Sequence, residues 1–426
     1  MPDRTAPPKA RSIDRFDLSK ARSLRLENGI PLHVINAGNH DILQIEIILR
    51  SGKWYETVNG SSFFASRMLS EGTRRKTSLE ISELFESYGV QFSVIPGNDF
   101  ITLSVYLLNK FFKEIIPLVA ECLFDPVFPE KELSIIKDLQ IRHIRVNNEK
   151  GSYLAGKEFQ KLIFGSMHPY GKPLEIEDID SRINQDLLRD YHSTRFLNGM
   201  EILLTGKIDD AYLDLIERHF GKRPGIPSEI QGFDNSLPPA RGQAGIIRKP
   251  GSLQSSLRYG SKIIAKSHPD NPGLLVLNEL LGGFFGSRLM KNIREDKGYS
   301  YGIHSSCINH VHDSFLVISS YVIGGHTDDA IEEIRKEISR LRTELVSENE
   351  LEIVRNYMLG NFLSSLETSF AMTDKFKSVY FYNLDYGYYD TLIETIRTIN
   401  PDTLHELALK YLNPDDFCLA VVRDEK

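Results

Sequence analysis

Arg294 and Tyr301 are the residues of this 426-residue chain whose types and spacing most directly suggest chemistry. They are a permanently charged guanidinium and a phenol at the end of the run Leu280-Leu281-Gly282-Gly283-Phe284-Phe285-Gly286-Ser287-Arg288-Leu289-Met290-Lys291-Asn292-Ile293-Arg294-Glu295-Asp296-Lys297-Gly298-Tyr299-Ser300-Tyr301. Both side chains can donate a hydrogen bond to one polarised carbonyl oxygen. The pattern predicts an apolar-periodic helix carrying Arg294 in its last turn, Gly298 as its C-terminal stop, and a strand from Tyr299 to His304 carrying Tyr301. Taken alone, an Arg at a helix end with a half-buried strand Tyr beside it is more often structural than functional, because a cation there favours the helix dipole.

The elements that must position this corner repeat along the chain. Glu132-Leu133-Ser134-Ile135-Ile136-Lys137-Asp138 recurs as Glu350-Leu351-Glu352-Ile353-Val354-Arg355-Asn356, an offset of 218. Ile183-Asn184-Gln185-Asp186 recurs as Ile399-Asn400-Pro401-Asp402 at 216, and Phe196-Leu197-Asn198 as Tyr411-Leu412-Asn413 at 215. Three ordered matches at nearly one offset imply two homologous halves of ordinary domain size. Ser61 to Leu69 then pairs with Pro272 to Leu281, and Ile81 to Tyr106 with Leu289 to Tyr321. Within the first half, a hairpin Leu24 to Ile35 turning on Asn28-Gly29 reads as type I′, Ile42 to Arg50 as a half-buried strand, and Val90 to Leu107 as a second hairpin around Pro96-Gly97-Asn98-Asp99. Helices are expected over Phe111 to Phe124 and Glu130 to Arg145, and a closing strand over Met200 to Thr205. The expected fold is α+β: two homologous halves, each a mostly antiparallel sheet with helices packed on one face. The boundaries expected are a flexible tail over 1–20, a first domain over 21–221, a Pro-rich linker over 222–243 and a second domain over 244–426.

The segment Leu281 to Tyr301 has the form L-G-G-x-x-x-S-R-L-x-x-x-[IL]-R-E-x-K-G-x-x-Y, and with it the chain resembles the pitrilysin and mitochondrial processing peptidase family of zinc peptidases, the inverzincins. The likeness is to the family's small two-domain bacterial members, and extends from Leu24-Arg25-Leu26-Glu27-Asn28-Gly29-Ile30 through Leu49-Arg50-Ser51-Gly52, His168-Pro169-Tyr170-Gly171 and Asn198-Gly199-Met200 to Val421. The resemblance implies that Arg294 and Tyr301 bind substrate and polarise the scissile carbonyl. Gly282 and Gly283, with Gly286, would give the loop before Ser287 freedom to shape around substrate, so Gly282, Gly283 and Ser287 are expected substrate-binding residues. The other reading of the glycines is a plain helix-ending pair.

The departure is as informative. Active members of that family carry H-x-x-E-H on a first-domain helix, with two His on zinc and the Glu as general base. Here the helix reads Gly60-Ser61-Ser62-Phe63-Phe64-Ala65-Ser66-Arg67-Met68-Leu69-Ser70-Glu71-Gly72-Thr73, so Phe63 and Arg67 stand at the His positions and Ser66 at the Glu position. The family's distal Glu would fall near Arg142, His143 or Ile144. The expectation is a degenerate zinc site at Phe63, Ser66 and Arg67, with no metal and no cofactor in this chain. Elsewhere no H-x-x-E-H, H-x-x-x-H or C-x-x-C occurs; His304, His310 and His312 come nearest to a metal-ligating set.

Composition excludes other classes. The formal net charge of −7 without a basic stripe argues against nucleic acid or an anionic membrane surface. There is no signal-peptide-like apolar run near the start and none long enough to span a membrane, and Cys122, Cys307 and Cys418 suit a reducing compartment, so a cytoplasmic protein is expected. No G-x-S-x-G elbow supports an independent hydrolase built on Ser66 or Cys307. The resemblance favours a non-catalytic, substrate-binding subunit of a zinc-dependent peptidase complex. It would work beside a zinc-bearing homologous subunit or as a homodimer, contributing Arg294 and Tyr301 in trans. The alternative is a peptide-binding or structural scaffold homologue with no catalytic partner.

Overall fold

The computed structural model describes residues 18–38, 40–223, 232–233 and 241–424. Most of the expected tail and linker therefore lies outside the described residues. Leu18 is described, and it packs partly buried against the second half.

The first half runs β1 (Arg22–Arg25), β2 (Pro31–Asn36), β3 (Ile42–Leu49), α1 (Ser61–Arg67), α2 (Ser78–Ser87), β4 (Gln91–Pro96), β5 (Ile101–Leu108), α3 (Phe112–Phe124), α4 (Glu130–Asn148), α5 (Gly151–Phe164), α6 (Ile176–Arg182), α7 (Gln185–Tyr191), β6 (Glu201–Gly206) and α8 (Asp210–Ile216). The second runs β7 (Ala244–Arg248), β8 (Gln254–Lys262), α9 (Asn271–Asn278), β9 (Ser300–Asn309), β10 (Ser314–Ile323), α10 (Thr327–Thr343), α11 (Glu348–Ser364), α12 (Ser369–Tyr380), α13 (Gly387–Thr398), α14 (Pro401–Tyr411) and β11 (Cys418–Arg423). The sheets are ordered β1-β2-β6-β3-β5-β4 and β7-β11-β8-β10-β9, the same arrangement once β1 is set aside. In each, one pairing is parallel, β2 with β6 and β7 with β11, and the rest are antiparallel.

The repeats fall on equivalent elements. Glu132 to Asp138 lies in α4 and Glu350 to Asn356 in α11, each following the hairpin and one intervening helix. Asn184 caps α7 by accepting from the Leu187 amide, and Asn400 caps α14 by accepting from the Thr403 amide. An Asx cap satisfies an otherwise orphaned amide, which explains why this residue type recurs at both helix starts. Gly29 closes the β1–β2 hairpin differently from a type I′ turn. Gly29 alone in that loop has a positive φ, and Leu26 N–H donates to the Ile30 carbonyl at 2.9 Å, the pattern of a three-residue loop with a glycine bulge.

Own-half helices cover one face of each sheet, and the opposite face receives a helix from the other half. α12 buries Met372, Thr373 and Phe376 against Ile35, Ile48 and Leu203 of the first sheet. α5 returns the favour with Phe159 and Ile163 against Cys418, Ala420 and Phe315 of the second. This exchange makes β3 buried on both faces instead of half-buried. Gln44 and Glu46, which point to the α12 side, are satisfied there: Gln44 Nε2 donates to Tyr106 Oη at 2.8 Å and Lys377 Nζ sits 2.7 Å from Glu46 Oε2.

Candidate functional site

Arg294 sits in a widened, π-type helical turn over Met290–Asp296. Gly298, at φ +65°, ends that turn, and Lys297 and Tyr299 donate back to the Asn292 and Ile293 carbonyls at 3.0 and 2.9 Å. The chain then enters β9, with Tyr301 as its second residue. Those bonds, reaching back five and six residues, close the widened turn and hold the strand against the helix end, and so set the Arg–Tyr separation. The Arg294 guanidinium carbon lies 5.1 Å from the centre of the Tyr301 ring and 4.6 Å from that of Phe285, so two aromatic faces hold the cation. Among the described residues Arg294 makes no ion pair and no hydrogen bond, and the same holds for the Tyr301 hydroxyl. Tyr301 is 86 % exposed and Phe285 61 %. All three side chains open on a cavity of about 560 Å³ at the free edge of the second sheet, where β9 is the last strand.

Gly282 and Gly283 line the same cavity. Gly282 has a structural duty as well, since a Cβ there would stand 2.7 Å from Ser305 Oγ of β9; the helix and strand approach closely only because it has no side chain. Ser287 is 1 % exposed, lies outside the residues lining the cavity, and among the described residues its hydroxyl has no hydrogen-bond partner.

The first half holds a cavity at its own sheet edge, about 720 Å³, lined by Phe63, Ser66 and Arg67 of α1 and by β4. Glu56 positions α1: its carboxylate accepts from the Gly60 and Ser62 amides at 3.0 and 2.8 Å, capping the helix start. Burial raises the Glu56 pKa, opposed by those hydrogen bonds. Arg67 carries its guanidinium 5.5 Å from the Phe63 ring centre, and Ser66 is buried with no partner for its hydroxyl among the described residues. Of the three candidates for the distal acid, His143 lines the cavity while Ile144 belongs to the core. A phenyl ring, a guanidinium and a lone hydroxyl do not fit zinc, which takes imidazole, thiolate or carboxylate. Among the described residues no cluster of three His, Cys, Asp or Glu is placed to hold a metal ion.

His304, His310 and His312 part company: His304 lines the second cavity, whereas His310 and His312 sit in the β9–β10 turn against the first half. Burial pushes the Cys307 thiol up to about 12, and among the described residues no base hydrogen-bonds the Ser66 hydroxyl, so neither is an activated nucleophile. Sequence reasoning passed over Phe285 and Arg258. The only signal for Phe285 was an aromatic pair between glycines; Arg258 carried none, because it reaches the cavity from β8, far away in sequence.

Residues 34–161 match the family model described as Insulinase (Peptidase family M16), and residues 182–358 the one described as Peptidase M16 inactive domain. The chain belongs to peptidase family M16. It is 26 % identical over 404 residues to an uncharacterized zinc protease, YmxG, of Bacillus subtilis, covering 93 % of this chain and 96 % of that protein. It is 20 % identical over 371 residues to the non-peptidase homolog YmxG of Helicobacter pylori, covering 85 % and 84 %. Its fold matches the crystal structure of a peptidase M16 inactive domain from Pseudomonas fluorescens with a TM-score of 0.85 at 21 % identity, covering 95 % and 98 %. A protease from Helicobacter pylori matches with a TM-score of 0.85 at 16 % identity, covering 96 % and 100 %. The inactive-domain match and the non-peptidase relative fit a non-catalytic, peptidase-like chain. No helix among the described residues is long and apolar enough to cross a membrane.

Proposed function

We propose that this chain is the substrate-binding, non-catalytic subunit of a zinc-dependent peptidase complex of the cytoplasm. The observation that carries the reading is an asymmetry between its two cavities: the first is lined by groups that cannot hold zinc, while the second presents Arg294 and Tyr301 with no hydrogen-bond partner among the described residues. The partner is a homologous zinc-bearing subunit, which would supply the metal and the water it activates. A peptide lies along a sheet edge as an added strand, drawing on the open side of β9. Arg294 and Tyr301 donate to its carbonyl oxygen, most strongly as negative charge develops there.

The test is reconstitution. The chain alone should contain no stoichiometric zinc and cleave no fluorogenic peptide, and a zinc-bearing homologue should co-purify with it and gain turnover in its presence. If no such subunit associates and peptides still bind, the scaffold reading replaces this one; a homodimer with activity of its own would overturn both.

A further inference from the structure

We infer that Arg258, Ser319 and His304 form a carboxylate-binding subsite in the wall of the Arg294–Tyr301 cavity, so that the substrates held there are peptides carrying a carboxylate at that point. The inference rests on the substrate-binding reading above and names its substrate class.

The sheet register sets the three in one row. Arg258 of β8 stands directly opposite Ser319 of β10, and Ser319 directly opposite His304 of β9. Directly paired residues project from the same face, so the row crosses three strands and ends at the open edge. All three line the cavity. Arg258 donates to the Leu257 carbonyl at 2.8 Å and is bonded to the Tyr321 phenol, yet among the described residues it has no ion pair. Neither the Ser319 hydroxyl nor the His304 ring makes a hydrogen bond among the described residues.

A half-buried guanidinium with no counter-charge is costly to keep, and an anion relieves that cost. Two such guanidinium groups, Arg258 and Arg294, face this cavity, and among the described residues no Asp or Glu lines it, in a chain whose formal net charge is −7. Glu279 packs behind Gly283, and burial raises its pKa. Arginine's planar fork matches a carboxylate in two parallel hydrogen bonds, and Ser319 adds a hydroxyl donor between it and His304. Burial, with the Arg258 charge second, lowers the His304 pKa, so near neutral pH the ring is uncharged with one N–H to donate. The carboxylate has two possible sources, an acidic side chain or the peptide's own C-terminus.

The experiment measures binding of fluorescein-labelled peptides to the purified full-length chain by anisotropy. A Glu-containing peptide is compared with its Gln counterpart, and a free C-terminal acid with its amide. Wild type should prefer one of the two carboxylates by about tenfold, the effect of one charge-assisted pair, and which comparison shows it identifies the source. Arg258→Gln should erase the preference and Arg258→Lys keep part of it. Should the loss of a half-buried cation disturb folding, Ser319→Asp serves instead: it places a carboxylate in the row between Arg258 and His304 and should erase the preference without removing either. Equal binding of charged and uncharged peptides by wild type, or a preference that survives both Arg258→Gln and Ser319→Asp, overturns the subsite while leaving peptide binding intact. If no peptide binds at all, the substrate-binding reading falls and the subsite falls with it.

Discussion

The indole of Trp54 lies flat on the imidazole of His312, with ring centroids 3.9 Å apart and planes 12° from parallel, and the two residues belong to different halves of the chain. This stack is part of a seam where the tips of the two equivalent hairpins meet. Asp99, in the β4–β5 turn, accepts from the Val311 amide at 3.0 Å and from the Tyr170 hydroxyl, whose ring in turn packs 4.4 Å from that of His310. Duplication thus produced two copies of one hairpin, and the fold uses their turns to lock the halves together.

The seam should be sensitive to acid, and its only tryptophan reports on it. Burial lowers the pKa of His312, helped by Arg50 and opposed by Asp99; it lowers that of His310 against Asp99 and Asp313. Burial also lowers that of His192, whose ring sits 2.8 Å from the Leu123 carbonyl. Because these groups bind protons more readily when unfolded, stability is fully present above the unfolded value of about 6.5 and is lost as pH falls through it. Urea midpoints should therefore drop between pH 7.5 and 5.5. Trp54 emission should be quenched with a midpoint below about 6.5, and His312→Asn should abolish that step. A midpoint above it would contradict the burial argument.

The exchange of α5 and α12 predicts that the halves unfold together. Phe376 is buried against Ile35, Ile48 and Leu203 of the opposite half, so Phe376→Ala should cost about 3–5 kcal/mol, the usual range for a buried Phe truncated to Ala. Calorimetry should show one transition moving down as a unit. Two separated transitions, only one of them shifted, would mean that the exchanged helices do not couple the halves.

How much of this was legible in the sequence depended on how local the signal was. The Arg294–Gly298–Tyr301 corner was readable because a glycine stop and a switch of periodicity lie within a few residues. The paired halves were readable because the Asn184 and Asn400 caps and the α4 and α11 repeats survived divergence. The β1–β2 turn was misread, since Asn28-Gly29 suits both a two-residue turn and a three-residue loop, and the choice follows from strand register. The helix exchange left only a stripe at Met372, Phe376 and Val379, which says that one face is buried and not what buries it. Arg258 was invisible for the same reason: its neighbours Ser319 and His304 meet it only once the strands are in register.

Arg294 and Tyr301 should separate function from stability. Among the described residues neither makes a hydrogen bond or ion pair, and Tyr301 is mostly exposed, so Tyr301→Phe should change unfolding free energy by no more than about 0.5 kcal/mol, while Arg294→Ala, which also removes the contacts with the Phe285 and Tyr301 rings, should cost about 1 kcal/mol. In a complex reconstituted with a zinc-bearing subunit, each should lower peptide turnover roughly a hundred-fold with partner binding preserved, the usual scale for one oxyanion donor. Wild-type turnover from both variants would make the pair structural.

The first cavity allows a test in the opposite direction, by adding chemistry instead of removing it. Phe63 and Arg67 are four residues apart on α1, so both can face the same side, and both line the cavity together with Ser66 and His143. Replacing Phe63→His, Ser66→Glu and Arg67→His in one chain would restore H-x-x-E-H on a helix that Glu56 already caps, with His143 in the same cavity as a further imidazole. That variant should take up zinc one-to-one, measured by emission spectroscopy after exhaustive dialysis, while the parent chain should not. Adding His143→Ala should weaken the zinc affinity by about tenfold or more, at least the scale on which supporting groups around a metal act. If the triple substitution folds, as judged by circular dichroism, and still binds no zinc, the degeneration of this site extends beyond its side chains to the spacing of α1 and α4. Zinc binding indifferent to His143→Ala would instead show that the position of the distal acid lies elsewhere on α4.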